Sequence, residues 1–258
     1  MQRYLALCKV VEVGSFSKAA EILDYSQSGI SQMVQAVEEE LDMKLLYRSR
    51  TGVRLTPEGQ EMLPYLQTLV NSYQSMNEKA KEIAGLESGV IRLGTISSVS
   101  GFWLPKIIKE FQQLHPKVRF LLHQGDYDTI PEWVRVGEID FGFVNPAAVT
   151  GLKTAFLRKG EMMAVLPLDH PLAKKDFVTL EELAAEPFVL VESGSYSEPV
   201  EAFAKAGLTP NITLRIHDDY SILAMIEAGL GVSILAKLLL HRLDGYRICV
   251  RPIRPRVE

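Results

Sequence analysis

Apolar residues recur along this chain in three rhythms, and the changes of rhythm divide it. In the first sixty or so residues the spacing is helical and the pieces are short. Ile30, Val34, Val37 and Leu41 fall at intervals of four, three and four, the buried stripe of a helix whose first turn Ser26 can cap. The preceding run Gly14-Ser-Phe-Ser-Lys-Ala-Ala20 predicts a shorter helix joined to it by a tight polar turn. From Thr56-Pro57, a cap and first-turn pair, the rhythm lengthens: Met62, Leu66, Leu69, Tyr73, Met76, Ala80 and Ile83 alternate spacings of four and three, a heptad seam. A helix from Pro57 to about Gly85 is roughly 40 Å long, more than one small domain requires, with Pro64 expected to bend it near its start. Such a seam suits packing on its own chain or against a second copy.

After Leu86-Glu-Ser-Gly89, the expected hinge, short apolar runs alternate with helical periods. Strands are predicted from Val90 to Ile96, Val118 to His123 and Ile139 to Val144, with helices from Phe102 to Leu114 and Ile130 to Val136, an order that implies a parallel α/β sheet. A second set follows. Its strands run from Met163 to Leu166, Phe188 to Val191, Ile212 to Ile216 and Val232 to Leu235, and its helices include a capping box at Thr179-Leu-Glu-Glu182, one ending near Gly207 and one from Ser221 to Ala228.

The helix opened by Ser26 has an unusual second face. Gln27, Ser28, Ser31, Gln32 and Gln35 lie side by side there without a charge, while Glu38, Glu39 and Glu40 sit at the far end. Gln can bond an adenine edge through donor and acceptor together, and Ser hydroxyls and a helix N-terminus suit phosphate oxygens. In isolation this face fits a merely uncharged surface equally well. The following segment shifts the balance: Lys44, Arg48, Arg50 and Arg54 occur with no acid between Met43 and Pro57, and two apolar pieces flank the turn pair Thr51-Gly52, a hairpin that carries Arg towards a nucleic-acid backbone. A helix-turn-helix followed by a basic hairpin is a winged helix.

These residues resemble the LysR-type transcriptional regulators. The resemblance rests on Gly14-Ser-Phe-Ser-x-Ala-Ala20, Ser26-Gln27, Ser31, Glu38-Glu-Glu-Leu41, Leu46-x-Arg48 and Val53-Arg-Leu-Thr-Pro-x-Gly59, taken together. It implies a winged helix-turn-helix over 1–58, a linker and dimerisation helix with hinge over 59–89, and over 90–258 a two-subdomain effector domain like a periplasmic binding protein, subdomain I about 90–160 and subdomain II about 161–258. Carried over by position, Gln27 reads a base, Ser26, Ser31 and Gln32 lie at or near phosphates, and Arg48, Arg50 and Arg54 serve backbone and minor groove. The family often has Pro where Ser28 stands and a cation where Gln32 stands, so the contact at position 32 is the weakest inference. The long helix is then an antiparallel dimer linker that sets the spacing of two half-sites in an interrupted dyad of double-stranded DNA. The expected assembly is a homodimer; the family often builds homotetramers, for which these residues give no second interface.

Open α/β sheets bind ligands at the carboxyl ends of their strands. Ser97, Ser98 and Ser100 follow the first strand, Asp126 to Thr129 the second, Phe143 to Asn145 the third and Glu192 to Ser195 the strand of the other subdomain, so Ser97, Ser98, Ser100, Asp126, Asn145, Gly194 and Ser195 are the candidate effector residues. Helix capping accounts for the serines as readily as effector contact does, and Asn145, Gly194 and Ser195 suit plain loops. The hydroxyl-rich helix start suits an anionic or carboxylate-bearing small molecule.

Composition agrees with a soluble cytoplasmic protein: 258 residues, 47% hydrophobic, no apolar run of membrane-spanning length and no secretory signal in Met1-Gln-Arg-Tyr-Leu-Ala-Leu. Cys8 and Cys249, one at each end, make no disulfide framework, and the five histidines show no metal-ligand spacing, so neither metal nor cofactor is expected. Net charge is −4, which confines any attraction to DNA to the wing and the recognition-helix start and favours a dimer over a single copy. An enzyme is the competing class, but no phosphate loop, nucleophile elbow or His-Glu metal motif occurs, and Asp218-Asp219, the only close acidic pair late in the chain, suits a helix cap. A free-standing ligand-binding module is the other alternative, and the winged helix argues against it.

Family members continue past the strand predicted from Tyr246 to Val250 with another strand and a closing helix, whereas this chain ends in Arg251-Pro-Ile-Arg-Pro-Arg-Val-Glu258. The expectation is an apparent C-terminal truncation that leaves an unpaired sheet edge and an uncovered apolar face, with DNA binding and dimerisation retained and effector response impaired.

Overall fold

The computed structural model describes every residue except Arg50, Thr51, Ala84 to Ser88, Arg242, Asp244 and Glu258, and omits the side chains of Glu82 and Ile83. The expected roles of Arg50, of the Thr51 turn, of Ile83 in the seam and of most of the hinge lie outside the described residues. The chain divides into two compact units, Met1–Val90 with Trp133–Asp140, and Ile91–Glu132 with Phe141–Glu258.

In the first unit, helices α1 (Gln2–Val13), α2 (Phe16–Leu23) and α3 (Gln27–Glu40) enclose Leu7, Val10, Ala20, Ile30, Val34 and Val37, all buried. The hairpin β1 (Leu46–Ser49) and β2 (Gly52–Leu55) pairs antiparallel with Leu46 opposite Leu55 and Tyr47 opposite Arg54. Caps mark the helix starts: Ser15 Oγ accepts from Lys18 N, and Ser26 Oγ accepts from Gly29 N at 3.1 Å. Thr56 then fastens the hairpin to the long helix α4 (Pro57–Ile83). Its hydroxyl donates to Lys44 O at 2.7 Å and accepts from Gly59 N at 2.9 Å. Gly59 is required there, because a Cβ would lie 2.2 Å from the Leu45 carbonyl oxygen. The element runs through Pro64 without a break.

Glu38, the first of the three acids at the far end of α3, has a role apart from the other two: it is buried, and its Oε1 accepts from Leu45 N (2.9 Å) and Leu46 N (3.2 Å) while Oε2 faces Lys44 Nζ (3.0 Å). The chain turns from α3 into β1 around this carboxylate, which satisfies backbone donors that the tight turn leaves without a ladder. Lys44 is accordingly engaged within the fold as well as positioned at the base of the wing.

The second unit contains two lobes. In the first, strands β3 (Gly89–Thr95), β4 (Val118–Gln124) and β5 (Phe141–Gly142) lie in the order β4-β3-β5, with β3 and β5 parallel. The predicted strand from Ile139 shortens to two residues; the predicted helix from Phe102 to Leu114 is α6 (Leu104–Leu114), preceded by a further short helix α5 (Ser97–Phe102) and followed after β4 by α7 (Thr129–Arg135). In the second lobe, β6 (Met162–Pro167) is central to an antiparallel sheet β10-β6-β9, with β9 spanning Ser233–Ala236 and β10 Ile248–Pro252. Helix α8 (Leu180–Ala184) carries the predicted capping box, Thr179 with Glu182. Strands β7 (Pro187–Val191) and β8 (Asn211–Ile216) pair in parallel, and α9 (Glu198–Lys205) and α10 (Ser221–Glu227) complete the lobe. The antiparallel sheet departs from the simple strand-helix alternation because β9 and β10 return on either side of β6.

The tail beyond β10 is built into this lobe. Val257 O accepts from Met162 N, Arg254 N donates to Val178 O, and Ile253 and Val257 are buried in the lobe's core. Both edges of β6 are therefore paired. Exposed apolar side chains occur on the first lobe, at Ile107, Leu114, Leu121, Leu122 and Phe141, where the core is formed by Leu93, Val99 and Leu104.

Candidate functional site

The polar face of α3 lies on the surface of the first unit. Gln27, Ser28, Gln32 and Gln35 are exposed and Ser31 is half-buried. They are not equivalent. Ser26 is committed to the cap, with the Ser28 hydroxyl 3.0 Å from it, Gln35 Nε2 donates to Glu39 Oε1 at 2.7 Å, and Ser31 Oγ accepts from Arg48 Nη1 at 2.7 Å. Among the described residues, the side-chain amides of Gln27 and Gln32 have no hydrogen-bond partner. Arg48 also stacks on Phe16, its Cζ 4.5 Å from the ring centroid. Arg54 is exposed on β2, across the hairpin from exposed Tyr47.

The heptad seam splits in two. Leu66 is buried and Met62 half-buried against the winged-helix core, so the start of the seam packs on its own chain. Farther along, Leu69 (41% exposed), Tyr73 (37%) and Met76 (57%) face solvent, as does Ala80.

In the second unit, the loops at the carboxyl ends of β3, β4, β5 and β7 bring several predicted residues together. Asn145 Nδ2 donates to Glu198 Oε1 at 3.0 Å, Ser195 N donates to Asp128 Oδ2 at 2.7 Å, and Gly194 lies against Asp128, where a Cβ would come within 3.0 Å of the carboxylate. Gly194 also has φ of +89°, a region that disfavours other residues. Ser97 Oγ accepts from Gln124 Nε2 at 2.8 Å and lies beside the Asp219 carboxylate, which disfavours an anion at this hydroxyl. Ser98 borders a cavity of about 20 Å³ with Gly101, Phe102, Tyr220 and His241. Ser100 Oγ donates to Ser97 O, and Asp126 caps α7 through Thr129, the local roles that helix starts require.

Three groups in the cleft, Tyr127, Asp128 and Glu198, have no individual mark in the residue pattern, and Asp219 reads there only as half of a helix-cap pair. Tyr127 is buried and donates to Glu198 Oε1 at 2.6 Å; burial, then the charges of Glu198 and Asp219, push its pKa far up. Burial likewise raises the Asp219 carboxyl, opposed by Ser97 and reinforced by Asp218 and Glu198. Of the pair Asp218-Asp219, Asp218 accepts from Ser221 N at 2.7 Å at the start of α10, whereas Asp219 lies beside Ser97 of the other lobe. Position just after β4 is the only sequence signal for Tyr127 and Asp128; none marks Glu198.

A winged helix-turn-helix on a long helix, followed by a two-lobed α/β unit, defines a DNA-binding protein governed by a small molecule. Comparison with known proteins identifies which kind. Residues 1–60 match the family model of the bacterial regulatory helix-turn-helix protein, lysR family, and residues 84–258 that of the LysR substrate binding domain. The uncharacterized HTH-type transcriptional regulator YvbU of Bacillus subtilis is 34% identical over 231 residues, 89% of this chain and 79% of that protein. The transcriptional dual regulator GltC of the same organism is 32% identical, over 81% and 71%. Among solved structures, full-length OxyR from Pseudomonas aeruginosa shares the fold with a TM-score of 0.72 at 23% identity, covering 100% of this chain and 86% of that one. CbnR bound to its target DNA superposes with a TM-score of 0.70 at 21% identity, covering 100% and 88%. The chain belongs to the LysR family of transcriptional regulators: a DNA-binding helix-turn-helix coupled to a substrate-binding domain.

Proposed function

We propose that the first half of α3 enters the major groove, with Gln27 the principal base reader and Gln32 a second polar contact, while Arg54 and, beyond the described residues, Arg50 serve the backbone. One observation supports this above the others: at the start of a helix held rigidly by its cap and core, the two amides able to read a base edge have no partner among the described residues. Ser26, Ser28 and Ser31 shape the helix start and meet phosphates as secondary partners. Arg48, exposed on β1, acts chiefly as a brace by fixing Ser31 to the wing. The units that act are a winged helix over 1–58, the linker helix and hinge over 59–89, and the effector domain over 90–258.

Two copies bind together, joined along the exposed part of α4 at Leu69, Tyr73, Met76 and Ala80, and their spacing matches two half-sites of an interrupted dyad. The effector occupies the cleft between the lobes, where Ser98, Asn145, Gly194 and Ser195 lie near it. Asp128, Glu198 and Asp219 weigh against a carboxylate-bearing effector, since like charges in a partly desolvated cleft repel. The protein works in the cytoplasm as a regulator and not an enzyme. No described helix is long and apolar enough to cross a membrane, and no described group of three or more His, Cys, Asp or Glu is placed to hold a metal.

Fluorescence anisotropy with duplex from upstream of this chain's own gene, against a scrambled duplex at one fixed salt concentration, tests the reading. A clear preference for the upstream duplex is expected, and Gln27→Ala should reduce that preference by about 1–3 kcal/mol, roughly 5- to 150-fold. Equal binding to both duplexes by the unaltered chain would overturn it.

A further inference from the structure

The two lobes of the effector unit are joined by hydrogen bonds that follow one plan. Tyr127 N donates to Ser193 O at 3.1 Å, and next to it Asp128 receives Ser195 N at 2.7 Å and Ser195 Oγ at 2.5 Å. Glu198 Oε1, in the first turn of α9, receives both Tyr127 Oη at 2.6 Å and Asn145 Nδ2 at 3.0 Å. Each bond crosses from the loops after β4 and β5 to the segment after β7, and four of the five end on a carboxylate, the stronger kind of acceptor. Gly194 permits the approach: its φ of +89° turns the backbone so that Asp128 fits where a side chain would stand. A second seam lies elsewhere between the lobes, where Phe102 stacks on His241 with ring centroids 4.3 Å apart and planes 13° from parallel. Beside this stack, the cavity bordered by Ser98 and Tyr220 measures about 20 Å³. Small-molecule pockets are ordinarily about 300–1,000 Å³.

We propose that the Glu198 and Asp128 contacts form a latch that holds the lobes shut, and that an effector of metabolite size enters only when this latch opens. The inference rests on the assignment of the inter-lobe cleft as the effector site. It adds a regulatory element to that site: two acceptors, one in each lobe, whose partners all come from the other lobe. Opening releases Glu198, Asn145, Asp128 and Ser195 from one another, so the groups that close the cleft become the groups that meet what enters it. Since only the open fraction accepts a ligand, the apparent dissociation constant exceeds the intrinsic one by the inverse of that fraction. Weakening the latch then sensitises the protein.

Amide hydrogen exchange on the full chain tests this without any effector or DNA. The reporters are the amides of Tyr127 and Ser195, whose partners lie in the latch, and the β6–β9 amides serve as the control for the fold of the second lobe. Tyr127→Phe removes one hydroxyl and keeps the buried ring; Glu198→Ala removes the acceptor. Exchange of the reporters is expected to accelerate several-fold in Tyr127→Phe and tenfold or more in Glu198→Ala, with β6–β9 unchanged. Reporter rates equal to those of the unaltered chain in both variants would overturn the proposal. So would equal acceleration of reporters and β6–β9, because the contacts would then be part of one cooperative lobe and not a separate latch. Absence of operator preference in the anisotropy experiment would leave these outcomes unaffected.

Discussion

The recognition helix and the effector cleft are both assembled from helix starts and hydroxyl-bearing loops, but they treat their polar groups in opposite ways. On α3 the capping, bracing and core contacts are made by Ser26, Ser31 and the apolar stripe, which leaves the Gln27 and Gln32 amides without described partners. In the cleft, Tyr127, Asp128, Asn145, Ser195 and Glu198 are bonded to one another across the lobes. On the proposed reading, the first surface is made ready by the rigidity of what lies behind it, whereas the second is satisfied internally and has to open before it can bind. DNA is too large to be enclosed, so its reader has to be finished in advance. A small effector can be enclosed, so its site can be closed around its own groups.

The sharpest way to break this contrast is to disturb the scaffold behind α3 without touching its polar face. Gly59 sits where the long helix passes the chain leaving α3, and a Cβ there would lie 2.2 Å from Leu45 O and 3.0 Å from Leu45 C, both backbone atoms. Neither can swing aside as a side chain would. Gly59→Ala is expected to cost more than about 3 kcal/mol and to abolish operator binding, although residue 59 is remote from the Gln27 face. Urea unfolding followed by circular dichroism gives the answer; a midpoint equal to that of the unaltered chain would show that the hairpin and α4 shift freely.

Glu38→Ala should have the next largest effect. It leaves the Leu45 and Leu46 amides without their buried acceptor, an expected loss of about 2–3 kcal/mol. Burial alone would raise this carboxyl's pKa, but Lys44 and the two amides outweigh it, so the group titrates below its ordinary range. A depressed folded-state pKa contributes stability above the unfolded value of about 4.3 and loses it as pH falls through the folded value. The deficit of Glu38→Ala, measured in urea at pH 7, 5 and 3, should therefore shrink towards the acid end. A deficit independent of pH would mean that the side chain matters by volume and not by charge.

Glu38 also shows where the sequence was legible and where it was not. The stripe of α3, the caps at Ser26 and Thr179, the hairpin and the length of α4 follow from local spacing, and each is found where spacing puts it. Glu38 reads as one of three consecutive acids because its distinguishing partners are backbone amides seven and eight residues away, which no side-chain pattern encodes. Glu198 is more extreme: Tyr127 and Asn145 are 71 and 53 residues distant, and as a sequence position it is merely an acid in the first turn of a helix. The antiparallel return of β9 and β10 around β6 is hidden for the same reason, since alternation of strand and helix does not state which strands become neighbours. Helix faces are local facts; pairings between lobes are not.

Two arginines of the wing sharpen the comparison at its finest scale. Both suit a DNA backbone by sequence and both are exposed, yet Arg48 is engaged by its own protein, donating to Ser31 at 2.7 Å and lying over Phe16, while Arg54 stands across the hairpin from Tyr47. A cation that meets a phosphate releases counterions and steepens the dependence of affinity on salt; one that braces a helix changes affinity without changing that slope. Arg54→Ala is accordingly expected to reduce the slope of log affinity against log salt by about one contact per protomer. Arg48→Ala should weaken operator binding by about 1 kcal/mol at every salt concentration, because Ser31 and the start of α3 lose their tether to the wing. Anisotropy titrations from low to high salt separate the two, and a slope lowered equally by both substitutions would mean that Arg48 leaves Ser31 when DNA arrives, so that even this brace belongs to the surface that binds.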